Sequence, residues 1–272
     1  MKISVIVPTY KPQAYLWECL DSIKNQTLHK ENFEVILVLN GCKEPYYGQI
    51  KEYISQSMSG SNVVLLQTDT GGVSNARNMG LDIAKGEYIT FIDDDDYVSE
   101  SYLEELYNKA SVDTISLCKP IAFTENVNSS QPYPITDVFN NLSANQLHHF
   151  TKARKYFSGP CMKLIHRDVI GQRRFDTRFV NGEDSLFMFL ISDRMEKVSF
   201  TSASAVYYRR YRVGSAVTTQ KPFGYWFRNG MKMIGAYSHI YFTSPTKYNF
   251  WFFITRIFGA AHTLICQLKY II

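Results

Sequence analysis

Four consecutive aspartates, Asp93-Asp94-Asp95-Asp96, follow directly on the apolar run Tyr88–Ile92. Like charges this close raise one another's pKa and repel, so the cluster is costly unless a cation compensates it. Ligands that are all oxygen select Mg2+ or Mn2+, and such an ion is typically held by one or two carboxylates with substrate phosphates completing its shell. The pair Asp93-x-Asp95 is enough for that chemistry. The plainer alternative is a solvated acidic turn in which Asp96 or Ser99 caps the next helix. Its position at the end of a buried strand makes that alternative the weaker one.

The elements that must position this cluster alternate. Ile3–Val7 reads as a buried strand ending at Pro8, followed by a helix over Gln13–Gln26 with Tyr15, Leu16, Cys19, Leu20 and Ile23 on one stripe. Phe33–Leu39 is a second apolar strand stopped by Asn40-Gly41; a helix over residues 46–58 and a strand over Val63–Leu66 follow. Asn75–Lys85 has helical spacing and Gly86 reads as its stop. Tyr88–Ile92 is then the strand that delivers the acids, and Ser101-x-x-Glu104 reads as a capping box for the next helix. Residues 124–150 read as a polar loop; beyond it come a strand near Cys161–Ile165, a helix over Glu183–Ser192 and one strand over Val198–Tyr208. Apolar strands alternating with helices predict an α/β fold with a mostly parallel sheet covered on both faces. In such folds ligands bind beyond the carboxyl ends of the strands, which is where Pro8-Thr9-Tyr10, Asn40-Gly41 and the four aspartates fall.

Composition narrows the class. With 272 residues, 45% hydrophobic and 20% charged, the chain can bury a large core. Five scattered cysteines, never spaced C-x-x-C, argue for a reducing compartment and against a disulfide framework or zinc site. The opening apolar run is too short for a signal peptide, so a cytoplasmic protein is expected. The net charge of +4 is uneven: no carboxylate side chain follows Glu196, while ten Lys and Arg residues and 18 of the 40 aromatic residues do. A basic, aromatic, acid-free segment suits an anionic membrane surface. Its charges are spread too thinly among apolar stretches to track a nucleic acid, and an aromatic face also serves contact between copies of the chain. Residues after Gln220 read as amphipathic helices, and Phe250–Cys266 is too short and too interrupted to span a bilayer.

The segments Gly72-Val73-Ser74-Asn75-Ala76-Arg77-Asn78-x-Gly80 and Ala84-Lys85-Gly86-Glu87-Tyr88 through Asp96 resemble family 2 of the inverting glycosyltransferases, whose fold is GT-A. Ser4-Val5-Ile6-Val7-Pro8-Thr9-Tyr10, Met162-Lys163-Leu164, Gly182-Glu183-Asp184-Ser185-Leu186-Phe187 and Tyr207–Ser215 fit further family motifs in the same order. The resemblance covers about residues 3–215 and leaves the tail unmatched, which predicts a GT-A domain over 1–220 and a basic, aromatic helical extension over 221–272. It implies that Asp95 ligates the metal and that Asp93 and Asp94 contact ribose, metal water or donor sugar. Pro8, Thr9 and Tyr10 then lie at the base and ribose. Arg77 orders the acidic loop or the donor, or is a structural salt bridge. Asp184 is the general base, with Glu183 as the alternative; as residues, the pair also reads as helix N-terminal charges. Lys163 falls on the acceptor side. Arg209, Arg210 and Arg212 cover the diphosphate, or else meet lipid or solvent. One position departs: Asn40 stands where the family usually has an aspartate for the uracil N–H.

The implied activity is transfer of a sugar from a nucleotide diphosphate, UDP favoured, to a glycan or lipid-linked acceptor in cell-surface polysaccharide synthesis. It would depend on Mn2+ or Mg2+ and take place on the inner face of the membrane. A sugar nucleotidyltransferase would carry a Gly-rich loop after the first strand; here Pro8-Thr9-Tyr10-Lys11-Pro12 contains no glycine. A non-catalytic sugar-binding subunit is disfavoured by retention of both acidic motifs.

Overall fold

The computed structural model describes residues 1–124, 129–142, 146–212 and 222–268, with Phe223 and residues 263–268 described by backbone alone. Strands β1 (Ile3–Thr9) and β2 (Phe33–Asn40) are buried at every position, as expected for parallel strands covered on both faces. Helix α1 (Tyr15–Lys24) turns Leu16, Cys19, Leu20 and Ile23 inward. After α2 (Tyr46–Ser57) come β3 (Val63–Thr68), α3 (Val73–Ile83) and β4 (Tyr88–Phe91). β2 and β4 flank β1 in parallel register, Val5 opposite both Val35 and Thr90, and β3 flanks β2.

Two glycines let α3 and its exit sit tight on β1. A Cβ at Gly80 would come within 2.6 Å of Ile6, and one at Gly86 within 2.3 Å of the Ser4 backbone nitrogen. Gly86 therefore serves close approach and is not the helix stop expected from its position; α3 already ends at Ala84 in extended backbone.

The chain then alternates between two sheets. β5 (Tyr97–Val98) and α4 (Tyr102–Lys109) lead to β6 (Thr114–Leu117), and with only Cys118 between them β7 (Lys119–Phe123) follows in the other sheet. The expected capping box on α4 does not form. Ser101 makes no cap bond, Glu104 accepts from Thr27, and Gln26 Oε1 accepts from the Leu103 N–H at 2.8 Å instead.

The supposed loop after Phe123 holds real elements. These are β8 (Ser130–Gln131), α5 (Pro134–Asn141), β9 (His148–His149) and a 3₁₀ segment over Phe150–Ser158. Proline fixes the first turn of α5, and Ile135 and Phe139, one helical turn apart, bury its inner side. Residues 125–128 and 143–145 of that loop lie outside the described residues.

Next come β10 (Lys163–His166), α6 (Arg167–Ile170), α7 (Glu183–Leu190), β11 (Lys197–Phe200) and β12 (Val206–Arg210). The single strand predicted over Val198–Tyr208 is two strands in different sheets. Glu105 causes the break: its carboxylate accepts from Ser202 N–H and from both the Ser202 and Ser204 hydroxyls, holding a turn there. The large sheet runs β3-β2-β1-β4-β10-β6-β11-β9, and the small one β5-β12-β7-β8.

α8 (Phe223–Thr243) and α9 (Phe250–Leu268) complete the described chain. Their aromatic residues share the core of the α/β portion: Phe189 of α7 contacts the rings of Tyr237, Tyr248, Phe252 and Phe253. Among the described residues no helix is long and apolar enough to cross a membrane.

Candidate active site

The carboxyl ends of β1, β2 and β4 bring Thr9, Asn40 and Asp93 together, as their parallel register requires. The Thr9 hydroxyl donates to Asp94 Oδ2 at 2.5 Å. Asn40 is buried and clamps two loops: its Nδ2 donates to the Thr9 carbonyl (2.7 Å) and its Oδ1 accepts from Gly72 N–H (2.9 Å). Pro8 is buried within β1, whereas Tyr10 is exposed beyond the strand end.

Arg77 projects from the buried side of α3 and is 2% exposed. Its Nη2 meets Asp93 Oδ1 at 2.8 Å and its Nη1 meets Asp184 Oδ1 at 2.5 Å. The guanidinium lies over the Phe175 ring, which stacks on Phe187 of α7 at 3.8 Å. Acidic turn, α3 and α7 are thereby joined through one side chain. Asp184 keeps Oδ2 outside the Arg77 contact, and 28% of its side chain is open to solvent. Glu183 is buried.

The small sheet closes the other flank. Tyr207 OH donates to Asp96 Oδ2 (2.7 Å), and the Asp93 N–H donates to Tyr207 OH (3.2 Å). Arg210 places its backbone N–H on Asp96 Oδ1 and its guanidinium on the Asp95 carbonyl and on Glu18. Arg212 pairs through Nε with Asp95 Oδ2 at 2.5 Å while lying over the Tyr15 ring. Arg209, on the opposite side of β12, bonds Tyr133 OH and sits between the Tyr133 and Tyr211 rings. Of the three arginines expected together, two reach the acidic turn and Arg209 does not. Lys163 is fully buried and donates to the Gly159 and Cys161 carbonyls, each at 2.6 Å. Val213-Gly214-Ser215 of the last motif lie outside the described residues.

Electrostatics follow burial. Desolvation pushes the Asp94 carboxyl up to about 7 against the Thr9 hydrogen bond, with Asp95 and Asp93 adding to the rise. Burial and then Asp93 raise Asp95, against Arg212. Asp96 is raised further, so the solvated-cap reading of Asp96 fails: it is buried and bonded to β12. Burial, then Asp184, lifts Glu183 to about 7; burial also raises Asp184, against the Arg77 charge. Burial lowers Lys163 to about 8.

A divalent cation fits this donor set in one sense only. The described residues hold no group of three side chains able to hold an ion alone. They do offer neighbouring Asp93 and Asp95 carboxylates, all-oxygen donors for a hard cation whose shell a diphosphate and water complete.

A central, mostly parallel sheet with an acidic turn at its carboxyl edge and a smaller sheet beside it defines a GT-A-type fold. Solved structures agree: TarS residues 1–349 of Staphylococcus aureus, in complex with UDP-GlcNAc, superposes with a TM-score of 0.70 at 24% identity, covering 89% of this chain and 67% of that one. The mannosyltransferase PcManGT of Pyrobaculum calidifontis, solved with GDP-Man and Mn2+, gives 0.62 at 16% identity over 99% of this chain and 74% of that one. The family model for glycosyl transferase family 2 matches residues 4–174, and the chain belongs to that family. It is 32% identical over 235 residues to the minor teichoic acid biosynthesis protein GgaB of Bacillus subtilis, 84% of this chain but 25% of that protein. It is also 32% identical over 224 residues to the glycosyltransferase GlyA of Streptococcus pneumoniae, 79% of this chain and 31% of that protein. The chain therefore spans about a quarter to a third of these two relatives.

Sequence reasoning placed Tyr207 in a motif without giving it a role, and missed Glu18 and Tyr15 as parts of the site. The last two stand one helical turn apart on α1, a spacing that puts them on one face and could have signalled partners for two arginines.

Proposed function

We propose that the chain moves a sugar from a nucleoside-diphosphate donor, a UDP-sugar, to a hydroxyl of a glycan or lipid-linked acceptor, with inversion and with Asp184 as general base. The observation that carries the reading is the buried Asp93–Arg77–Asp184 bridge. It fixes the donor-side acid and the base as one unit, and such positioning is a large part of what an enzyme of this kind contributes. The relatives agree in direction. TarS of Staphylococcus aureus, 38% identical over 105 residues, is named a poly(ribitol-phosphate) β-N-acetylglucosaminyltransferase and has been solved with UDP-GlcNAc. Cell-surface polysaccharide synthesis is the setting this favours.

In this reading the nucleotide lies at Pro8, Thr9 and Tyr10, on a floor that Asn40 holds by its two hydrogen bonds. The Asn40 oxygen has a second lone pair for a uracil N–H. Asp95 with Asp93 would hold Mn2+ or Mg2+, and that ion, when bound, neutralises charge on the diphosphate as a Lewis acid. Arg210 and Arg212 stand beside the same charge. The acceptor oxygen attacks the anomeric carbon, the bond to the diphosphate oxygen breaks, and the hydroxyl proton passes to Asp184 Oδ2. Arg77 holds Oδ1 meanwhile, which keeps the carboxylate oriented. Asp184 is favoured over Glu183 because it is the more open of the two.

The basic extension is proposed to rest on an anionic membrane surface at the cytoplasmic face. Phe242, Phe250, Trp251 and Phe258 expose their rings from α8 and α9, in a region without carboxylates. The same face also suits self-association. Truncation is a poor test because α8 and α9 complete the core; replacing Phe242 and Trp251 by serine should release the protein from anionic liposomes without loss of fold.

The decisive experiment measures UDP release and donor binding with and without Mn2+. Asp95→Ala should lose metal-dependent donor binding, and Asp184→Asn should bind the donor normally and turn it over at least a hundredfold more slowly. Transfer at the wild-type rate by Asp184→Asn would remove the base from this scheme.

A further inference from the structure

Arg256 of α9 is a cation without an anion. Its Nη1 donates to Ser185 Oγ (3.1 Å) and Ser158 Oγ (3.4 Å), its Nη2 to the Arg154 carbonyl (3.0 Å), and its Nε is enclosed with no hydrogen-bond partner. The guanidinium also rests on the Phe252 ring, 4.4 Å from its centre. Burial lowers its pKa to about 10; Tyr237 opposes the shift, Arg154 adds to it, and no carboxylate contributes.

The surroundings add charge of the same sign. Lys152, Arg154 and Lys155 are exposed on the 3₁₀ segment over Phe150–Ser158, and the buried Lys163 ammonium and Arg256 lie close enough to repel. Among the described residues none of Lys152, Arg154, Lys155 and Arg256 forms a salt bridge. Enclosed charges are ordinarily paired, because a desolvated guanidinium with neutral partners alone is unfavourable relative to a well-packed apolar residue. An enclosed guanidinium nitrogen without a partner, beside exposed cations that carry no salt bridge, fits a site whose anion arrives with a ligand.

Its location says which ligand. Ser185, which receives Arg256 and the Tyr237 hydroxyl at 2.8 Å, directly follows Asp184. A group seated on Arg256 is thus held one residue from the proposed base, on the side of α7 facing the 3₁₀ segment and α9. The donor diphosphate has its own cations at Arg210 and Arg212, across the Asp95 turn.

We propose that Arg256, with the Ser158 hydroxyl and the exposed cations Arg154 and Lys155 of the same 3₁₀ segment, forms a subsite for a phosphate group of the acceptor. The inference rests on the transfer reaction proposed above and sharpens it: the acceptor is a phosphate ester, and its charge helps hold its hydroxyl at Asp184. Such a phosphate belongs either to a polyol-phosphate chain or to a lipid phosphate.

Calorimetric titration of the full chain tests this. The probes are inorganic phosphate, ribitol 5-phosphate beside ribitol, and farnesyl phosphate beside farnesol in detergent, each against wild type, Arg256→Met and the Arg154→Gln/Lys155→Gln double variant. At least one phosphate ester should bind wild type tenfold or more tightly than its alcohol, and the preferred ester identifies the source. Both variants should lose that discrimination while UDP binding with Mn2+ stays within twofold. Arg256→Met should also unfold at the same or a higher temperature, as expected for a charge kept for binding. Equal affinity for ester and alcohol in wild type, or an unchanged preference in both variants, overturns the proposal. The exposed double variant decides the matter if Arg256→Met fails to fold. Absence of UDP binding by wild type would instead count against the transferase reading and leave the phosphate measurement standing.

Discussion

Replacing Arg77 by glutamine tests the central linkage most directly. Arg77 makes two charge-assisted contacts from a buried position, at 2.8 Å to Asp93 and 2.5 Å to Asp184. Hydrogen bonds to charged groups contribute about 1.5–3 kcal/mol each. Removing one partner of a buried ion pair typically costs about 3–5 kcal/mol. Partial relaxation and the one hydrogen bond that glutamine can keep favour the lower figure, so we expect about 3 kcal/mol. For a chain of this size that lowers the unfolding temperature by roughly 6–12 °C. The same change removes the charge that opposes the upward shift of Asp184, whose carboxyl burial already raises. Its pKa therefore rises further. The proposed base must be ionised, so the acid limb of kcat/KM for UDP release should move measurably to higher pH. Arg77→Lys, which retains the charge but reaches one carboxylate at a time, should show about half of each effect. A folded Arg77→Gln protein with an unmoved acid limb and an unfolding temperature within 2 °C of wild type would refute the idea that this arginine couples donor side to base.

Three other outcomes are expected. Raised carboxyl pKa values in the acidic turn mean that protons compete with the cation, so Mn2+ affinity measured with UDP present should rise with pH through about 7, where Asp94 is half ionised, and level off only above about pH 8. A carboxyl raised on folding stabilises the protein at low pH and loses that contribution as pH climbs through its folded value. Without metal, then, the unfolding temperature should be higher at pH 6 than at pH 8, and Mn2+ with UDP should narrow the gap. Finally, Gly86→Ala places a methyl against the Ser4 backbone and should destabilise by about 3 kcal/mol in denaturant titration, whereas Gly60→Ala, with open space around it, should cost far less despite its left-handed backbone.

The parallel half of the fold was legible because β1, β2 and β4 are buried on both faces, and continuous apolar runs ending in turn residues leave few other solutions. The site was legible where charge stands against that pattern, as with the aspartates after β4. Elements set by distant partners were less so. The split between β11 and β12 depends on Glu105, some 97 residues before Ser202 in the chain, and the α4 cap depends on Gln26 rather than on Ser101. Short helix α5 carries just two buried apolar residues amid polar ones, too few for periodicity to register. Within the site, the arginines of β12 could be expected to serve anions, but only the pleat separates Arg210, on the acidic turn, from Arg209, enclosed by tyrosines.

The Arg212–Asp95 contact has a consequence for how ligands enter. An aspartate proposed to take a metal is already neutralised from within by a guanidinium resting on Tyr15. A bare ion arriving alone competes with that arginine for the carboxylate. An ion arriving with a diphosphate gives the displaced side chain a new anion in exchange. On the proposed reading, the resting carboxylate would thereby be shielded from stray divalent ions, and the nucleotide, rather than the metal by itself, would open it.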